Sequence, residues 1–260
     1  MKLNSVKKIQ INNLQVEIYP DRQAMGRAAA SAVTERIHLL LKAQDEIIMI
    51  FAAAPSQNEV LYELSKMEDV DWAKVTAFHM DEYIGLSVHE PQRFGNYLKE
   101  RIFEKVPFKT VHYLNPLPGK VEVECNRYAE LLQKAPIDII CMGIGENGHI
   151  AFNDPPVADF HDPKSVKVVE LDQVCRQQQV NDGCFPSISE VPKQAITLTV
   201  PMLFSGKYLF VVVPGKTKAK AVYDMLNGDI STRCPASILR QHPDAILYLD
   251  KDSSGELSHL

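Results

Sequence analysis

Short, nearly continuous apolar runs alternate along the chain with longer stretches whose apolar positions recur three and four residues apart. Runs of the first kind predict strands at residues 16–19, 46–51, 75–80, 111–114, 137–142, 166–170, 195–200, 208–213 and 245–249. The second kind predicts a helix capped by Asp21 and running to about Lys42, a helix opening at Ser56, and helices over about 92–105, 122–134, 217–226 and 236–240. Ser56 and Glu59 have the spacing of a capping box. A strand such as EIIMIF, residues 46–51, suits a parallel sheet covered on both faces. Strands alternating with helices imply βαβ units and a three-layer α/β/α architecture with a mostly parallel sheet. Residues 143–192 are rich in Gly, Pro, Asp and Asn and read as irregular, apart from the strand at 166–170. No repeat, low-complexity tract or linker interrupts the pattern, so residues 1–260 are expected to form a single domain.

Hydrophobic residues make up 45% of the chain and charged residues 23%, enough to bury a core without disulfides or metals. The formal charge of −5 comes with no basic stripe, which excludes a nucleic-acid reading. An anionic ligand would then need local cations. The five cysteines form no C-x-x-C pair, as expected in a reducing compartment and without a zinc site. Residues 1–13, MKLNSVKKIQINN, lack the apolar segment of a leader, and no apolar run is long enough to span a bilayer. The expectation is a cytoplasmic protein with no membrane partner; assembly as a homo-oligomer stays open.

Ligands of open α/β sheets bind beyond the carboxyl ends of the strands, and four such turns carry chemistry. The first, Ala52-Ala53-Ala54-Pro55-Ser56, leads from a strand into a helix, where free N–H groups could meet a phosphate, although an ordinary capped turn would look the same. The second, His79-Met80-Asp81-Glu82, puts adjacent carboxylates at a strand end. Asp81 could move a proton, or His79 and Asp81 could share a metal for which no further ligands are evident, or Asp81 could serve a turn. The third, residues 143–156, contains G-x-G-x-x-G, but Pro155-Pro156 follows too soon for the helix a dinucleotide site requires. Glycines such as Gly145 instead permit a close ligand, with His149 and Asp154 nearby, His149 being suited to acid–base work or to a buried backbone contact. In the fourth, Lys216 and Lys218 open a helix, where cations oppose the macrodipole unless an anion binds or solvent surrounds them.

Taken together, MDEYIGL (80–86), GHIAFND (148–154), VPKQAITLTV (191–200) and PGKTKA (214–219) resemble the glucosamine-6-phosphate deaminase/isomerase family, a relative of the 6-phosphogluconolactonases. The resemblance covers about residues 46–250 and implies a Rossmann-like fold. DEYIGL and the string after His149 look like the deaminase branch; a lactonase would more typically read D-G-H-T-A-S-L-F-P there. By resemblance Asp81 moves a proton between C1 and C2 of the opened sugar, and His149 opens the ring. Asp154 stands where the family has Glu and orients the histidine. Lys218 contacts the phosphate, and residues 53–56 (Ala53, Ala54, Ser56) fall on the phosphate loop, with Glu82 and Gly145 beside the substrate. The departures are Asn147, where the family has Asp, the loss of a Gly/Thr-rich phosphate loop, and the lack of a clear phosphate-binding arginine, for which Arg176 is the candidate. The chain also ends before the longer tail of allosterically regulated members. The expected partner is a small phosphorylated sugar, with no metal or organic cofactor. The expected reaction converts a hexosamine 6-phosphate to a ketose 6-phosphate and ammonia; hydrolysis of a sugar-phosphate lactone and a non-catalytic sugar-phosphate sensor are the alternatives. Asp154, rather than Asn147, is expected to orient His149, with Asn147→Asp tolerated.

Overall fold

The computed structural model describes residues 5–257; the first four residues of the stretch read for a leader and the last three of the chain lie outside the described residues. In chain order the strands are β1 (Lys7–Ile11), β2 (Leu14–Tyr19), β3 (Ile47–Phe51), β4 (Val75–His79), β5 (Asp81–Tyr83), β6 (Thr110–His112), β7 (Ile139–Met142), β8 (Val166–Glu170), β9 (Gln194–Leu198), β10 (Tyr208–Val213) and β11 (Ala245–Asp250). The α-helices are α1 (Arg22–Leu41), α2 (Asn58–Leu64), α3 (Phe94–Leu98), α4 (Val121–Leu132), α5 (Gln173–Asn181), α6 (Val200–Phe204) and α7 (Ala219–Asn227).

Eight strands make the main sheet in the order β1-β2-β11-β10-β7-β3-β4-β6, parallel throughout except for the β1–β2 hairpin at one edge. Alternate residues of its central strands enter two separate cores. Met49, Phe51, Ile139, Cys141, Phe210, Val212 and Tyr248 pack on one face. Ile50, Ile140, Met142, Leu209, Val211, Val213, Leu247 and Leu249 pack on the other. This is why these strands read as unbroken apolar runs: a strand covered on both faces has no wet side to alternate with. The result is the expected three-layer, mostly parallel Rossmann-like arrangement.

Some local expectations hold and others change; the helix expected at 236–240, for one, is a 3₁₀ helix, Pro235–Gln241. Asp21 does cap α1, accepting from the Ala24 N–H at 2.7 Å. Ser56 caps nothing: the chain enters α2 through a 3₁₀ turn, Pro55–Gln57, without a side-chain cap. Glu59 instead receives both guanidinium arms of Arg22, at 2.8 and 2.9 Å, while the same Arg22 donates to the Pro55 carbonyl at 3.0 Å. The strand read at 195–200 ends at Leu198; Thr199 then caps α6, accepting from the Met202 N–H. That strand, β9, lies outside the main sheet, in a three-stranded antiparallel sheet of order β5-β9-β8. The stretch read as irregular contains α5, opened by Asp172, which accepts from the Cys175 N–H at 2.7 Å.

Candidate active site

A cavity of about 360 Å³ opens beyond the carboxyl ends of β3, β4, β7 and β10. Ala53, Ala54 and Ser56 line it after β3, Asp81 after β4, Gly145 and His149 after β7, and Lys218 after β10. The topology thus brings all four sequence-predicted turns to one place.

Asp81 begins β5, where it stands opposite Thr197 of β9, and only 8% of it is exposed. Burial raises its carboxyl well above the usual range, and the charge of Glu82 adds to this. His79 fixes the backbone beneath it. Its Nε2 accepts from the Leu114 N–H at 2.9 Å, so the proton sits on Nδ1, 2.9 Å from the Asp81 carbonyl. Burial pushes His79 down to about 4, against the pull of that hydrogen bond. With both ring nitrogens engaged, His79 positions Asp81 and is no metal ligand.

His149 faces the cavity across a glycine. A Cβ on Gly145 would lie 2.1–2.3 Å from three atoms of the imidazole ring, so only glycine leaves room for the ring there. Behind the ring, Nδ1 lies 2.8 Å from Asn147 Oδ1 and 2.9 Å from Asp154 Oδ1. The Asn147 amide donates from Nδ2 to that same Asp154 oxygen at 2.8 Å, and its Oδ1 also accepts the His149 N–H at 3.0 Å. Nδ1 is therefore the donor, which leaves Nε2 for chemistry. Both Asn147 and Asp154 orient the ring, where the sequence pointed to Asp154 alone. Burial opposes the charge of Asp154, but His149 and the amide of Asn147, with the thiol of Cys175, outweigh it and lower its carboxyl below the usual value.

His149, Asp154 and Cys175 offer ligand atoms within 4.8 Å of one another. Burial and the Asp154 charge push the Cys175 thiol far up. Hydrogen bonds tie the His149 ring to Asn147 and Asp154, and Asn147 to Asp154. The G-x-G-x-x-G run opens no helix: residues 145–148 form a turn and 151–152 another, with Gly148 at φ +81°. The segment is instead tied to β9. Asn153 Nδ2 donates to the Ile150 and Leu198 carbonyls at 2.9 and 2.8 Å, and the Phe152 N–H donates to Thr197 Oγ1 at 3.1 Å.

Two predicted residues lie elsewhere. Glu82 is fully buried away from the cavity. It accepts the N–H groups of Tyr83, Phe94 and Gly95 at 3.0–3.1 Å and lies 3.4 Å from the Arg93 guanidinium, so it anchors the start of α3. Arg176 sits on α5, but its guanidinium donates to the Val191 carbonyl at 3.2 Å and the Ile188 carbonyl at 2.5 Å, bracing the loop before β9. The first local carbonyls within reach hold it, so it does not supply the missing arginine. The cavity contains residues the sequence reading did not single out: Arg101, and, from α5 and the turn after it, Gln178, Gln179 and Asp182. Gln178 accepts the Glu146 N–H at 2.8 Å and Gln179 accepts the Tyr83 hydroxyl at 2.8 Å. Lys218 is 5% exposed, and burial lowers its ammonium, partly offset by Asp182 and Glu146.

Known proteins resemble the chain in sequence and in fold. Residues 20–248 match the family described as glucosamine-6-phosphate isomerases/6-phosphogluconolactonase, and the chain belongs to that family. It is 33% identical to a glucosamine-6-phosphate deaminase of Lactobacillus delbrueckii subsp. bulgaricus over 84% of this chain and 92% of the relative. The corresponding enzyme of Listeria monocytogenes serotype 4a is 34% identical over 82% and 88%. Among solved structures, a monomeric glucosamine-6-phosphate deaminase superposes with a TM-score of 0.83 at 29% identity, covering 92% of this chain and 98% of the other. The 6-phosphogluconolactonase of Thermotoga maritima shares the fold, with a TM-score of 0.73 at 19% identity over 91% and 99%.

Proposed function

We propose that the chain is an amino-sugar-phosphate isomerase/deaminase that converts a hexosamine 6-phosphate, of glucosamine or galactosamine, to a ketose 6-phosphate and ammonia. The observation that carries the reading is one cavity holding both a buried carboxylate, Asp81, and an imidazole, His149, whose Nδ1 is engaged from behind. His149 Nε2 moves the proton between the ring oxygen and the C1 hydroxyl as the sugar opens. Asp81 removes the C2 proton, leaving an enolamine, and returns a proton to C1. The C2 imine so formed adds water and expels ammonia, which balances the reaction. Each acid–base group contributes about 10²–10⁴-fold. Lys218 holds the phosphate beside the turn of Ala53, Ala54 and Ser56, and its weakened hydration favours a bound anion.

The chain is read as one domain with one site, working in the cytoplasm on a small phosphorylated sugar and without a nucleic-acid partner. All five cysteines stand free, and no helix among the described residues is long and apolar enough to cross a membrane. The test is an ammonia-release screen over amino-sugar 6-phosphates, with 6-phosphogluconolactone hydrolysis assayed beside it. Ammonia release with solvent exchange at C2 is the expected result. Lactone hydrolysis without ammonia would overturn the reading.

A further inference from the structure

We propose that Arg101 is the guanidinium that binds the substrate's phosphate, in place of the arginine that Arg176 does not supply. The inference rests on the deaminase reading of the cavity. Arg101 lies in a π-helical turn, Lys99–Phe103, that continues α3, closed by the Glu104 N–H on the Lys99 carbonyl at 3.2 Å. Such turns are frequent where a side chain must be re-aimed at a functional site.

The neighbours of Arg101 hold the guanidinium without neutralising it. Nε donates to Asn58 Oδ1 at 2.9 Å, Nη1 donates to the Tyr97 carbonyl at 3.3 Å, and the group lies over the Tyr97 ring at 3.5 Å. The carboxylate paired with it is Glu100, at 3.5 Å and 71% exposed, a surface pair of little strength. Nη2 has no protein acceptor among the described residues. A fixed, uncancelled guanidinium on a cavity wall, with donors to spare, matches a phosphate, which it can meet with two parallel hydrogen bonds.

Position supports the same assignment. Asn58 follows the Pro55–Gln57 turn directly, so the tether sets Arg101 beside the Ala53–Ser56 stretch, and Lys218 lines the same cavity. Arg101 and Lys218 are the arginine and the lysine that line it, and a phosphate monoester brings two negative charges for them to meet.

The test is calorimetric binding of glucosamine 6-phosphate and of unphosphorylated glucosamine to the full chain and to Arg101→Met and Arg101→Lys, with ammonia-release kinetics on the same samples. Arg101→Met should weaken binding of the phosphorylated sugar at least about 10-fold and raise KM accordingly, with kcat changed far less, since a phosphate contact acts mainly through uniform binding. Arg101→Lys should recover part of the loss, because it keeps the charge and gives up the paired geometry. Wild-type preference for the phosphorylated sugar in Arg101→Met, or in a folded Arg101→Lys if the first variant does not fold, would overturn the assignment. Wild-type protein that binds the sugar phosphate but releases no ammonia would overturn the deaminase reading alone, and the binding series would still decide Arg101.

Discussion

Asp81, the base of the proposed reaction, is a weak acid by ordinary carboxyl standards. Its pKa is raised first by burial and then by the charge of Glu82. A base acts only when ionised, so activity must fall as pH drops through this raised value. We expect the acid limb of kcat/KM to lie above the ordinary aspartate value of about 3.9. A profile flat down to that pH would exclude Asp81 as the base. Asp81→Asn should bind substrate yet lose at least about 10²-fold in turnover, together with C2 proton exchange. Asn147 is the second instructive residue, because its amide donates to Asp154 while accepting from His149. An aspartate there could not donate, and two carboxylates would meet at about the distance of a hydrogen bond. We therefore expect Asn147→Asp to lower turnover about 10-fold or more at neutral pH, with partial recovery at lower pH, where one carboxyl takes a proton and donates again. Full activity at neutral pH would show that the amide's donor is dispensable.

Among the elements, those with a dry environment on both faces were legible: β3, β7 and β10 are apolar because both cores press on them. Elements that face the cavity were not. The inward side of α5 is Cys175, Gln178 and Gln179, so its sequence shows no apolar stripe although the residues are buried. β5 is three residues long and begins with two acids. The turns were legible as chemistry because glycine, histidine and aspartate cluster after strands, but the partners of each side chain were not. Arg176 looked like the stray cation, while Arg101 read as one more polar position on a helix. Gly145 is the case in which element and site coincide, since the turn after β7 must pass under the imidazole. Gly145→Ala should displace the ring and lower kcat about 10²-fold, the scale expected when a catalytic group is misplaced by about 1 Å. Circular dichroism should report a folded chain, because the ring can swing into the cavity. Unimpaired turnover in that variant would mean that the ring position is not what the reaction uses.

Across the whole molecule, the two groups proposed for acid–base work, Asp81 and His149, come from different parts of the chain, and the small antiparallel sheet joins their segments. β9 stands opposite Asp81 through Thr197, and the same Thr197 accepts the Phe152 N–H with its hydroxyl at 3.1 Å while donating to the Leu198 carbonyl at 3.1 Å. Phe152 lies three residues from His149, so one fully buried hydroxyl links the strand of the base to the loop of the imidazole. Thr197→Val keeps the shape and removes the acceptor, leaving a buried N–H without a partner, which costs about 1–3 kcal/mol. The urea midpoint should fall accordingly, with the denaturant slope unchanged because the same surface is exposed on unfolding. Turnover should fall as well, since the loop loses its tie to the sheet that carries Asp81. Thr197→Ser retains the hydroxyl and should keep most of the turnover while losing only the methyl group's packing. If Thr197→Val loses stability but keeps wild-type kcat, the small sheet braces the fold without setting the catalytic register; if both variants lose turnover equally, packing of the methyl group rather than the hydroxyl holds the loop in place.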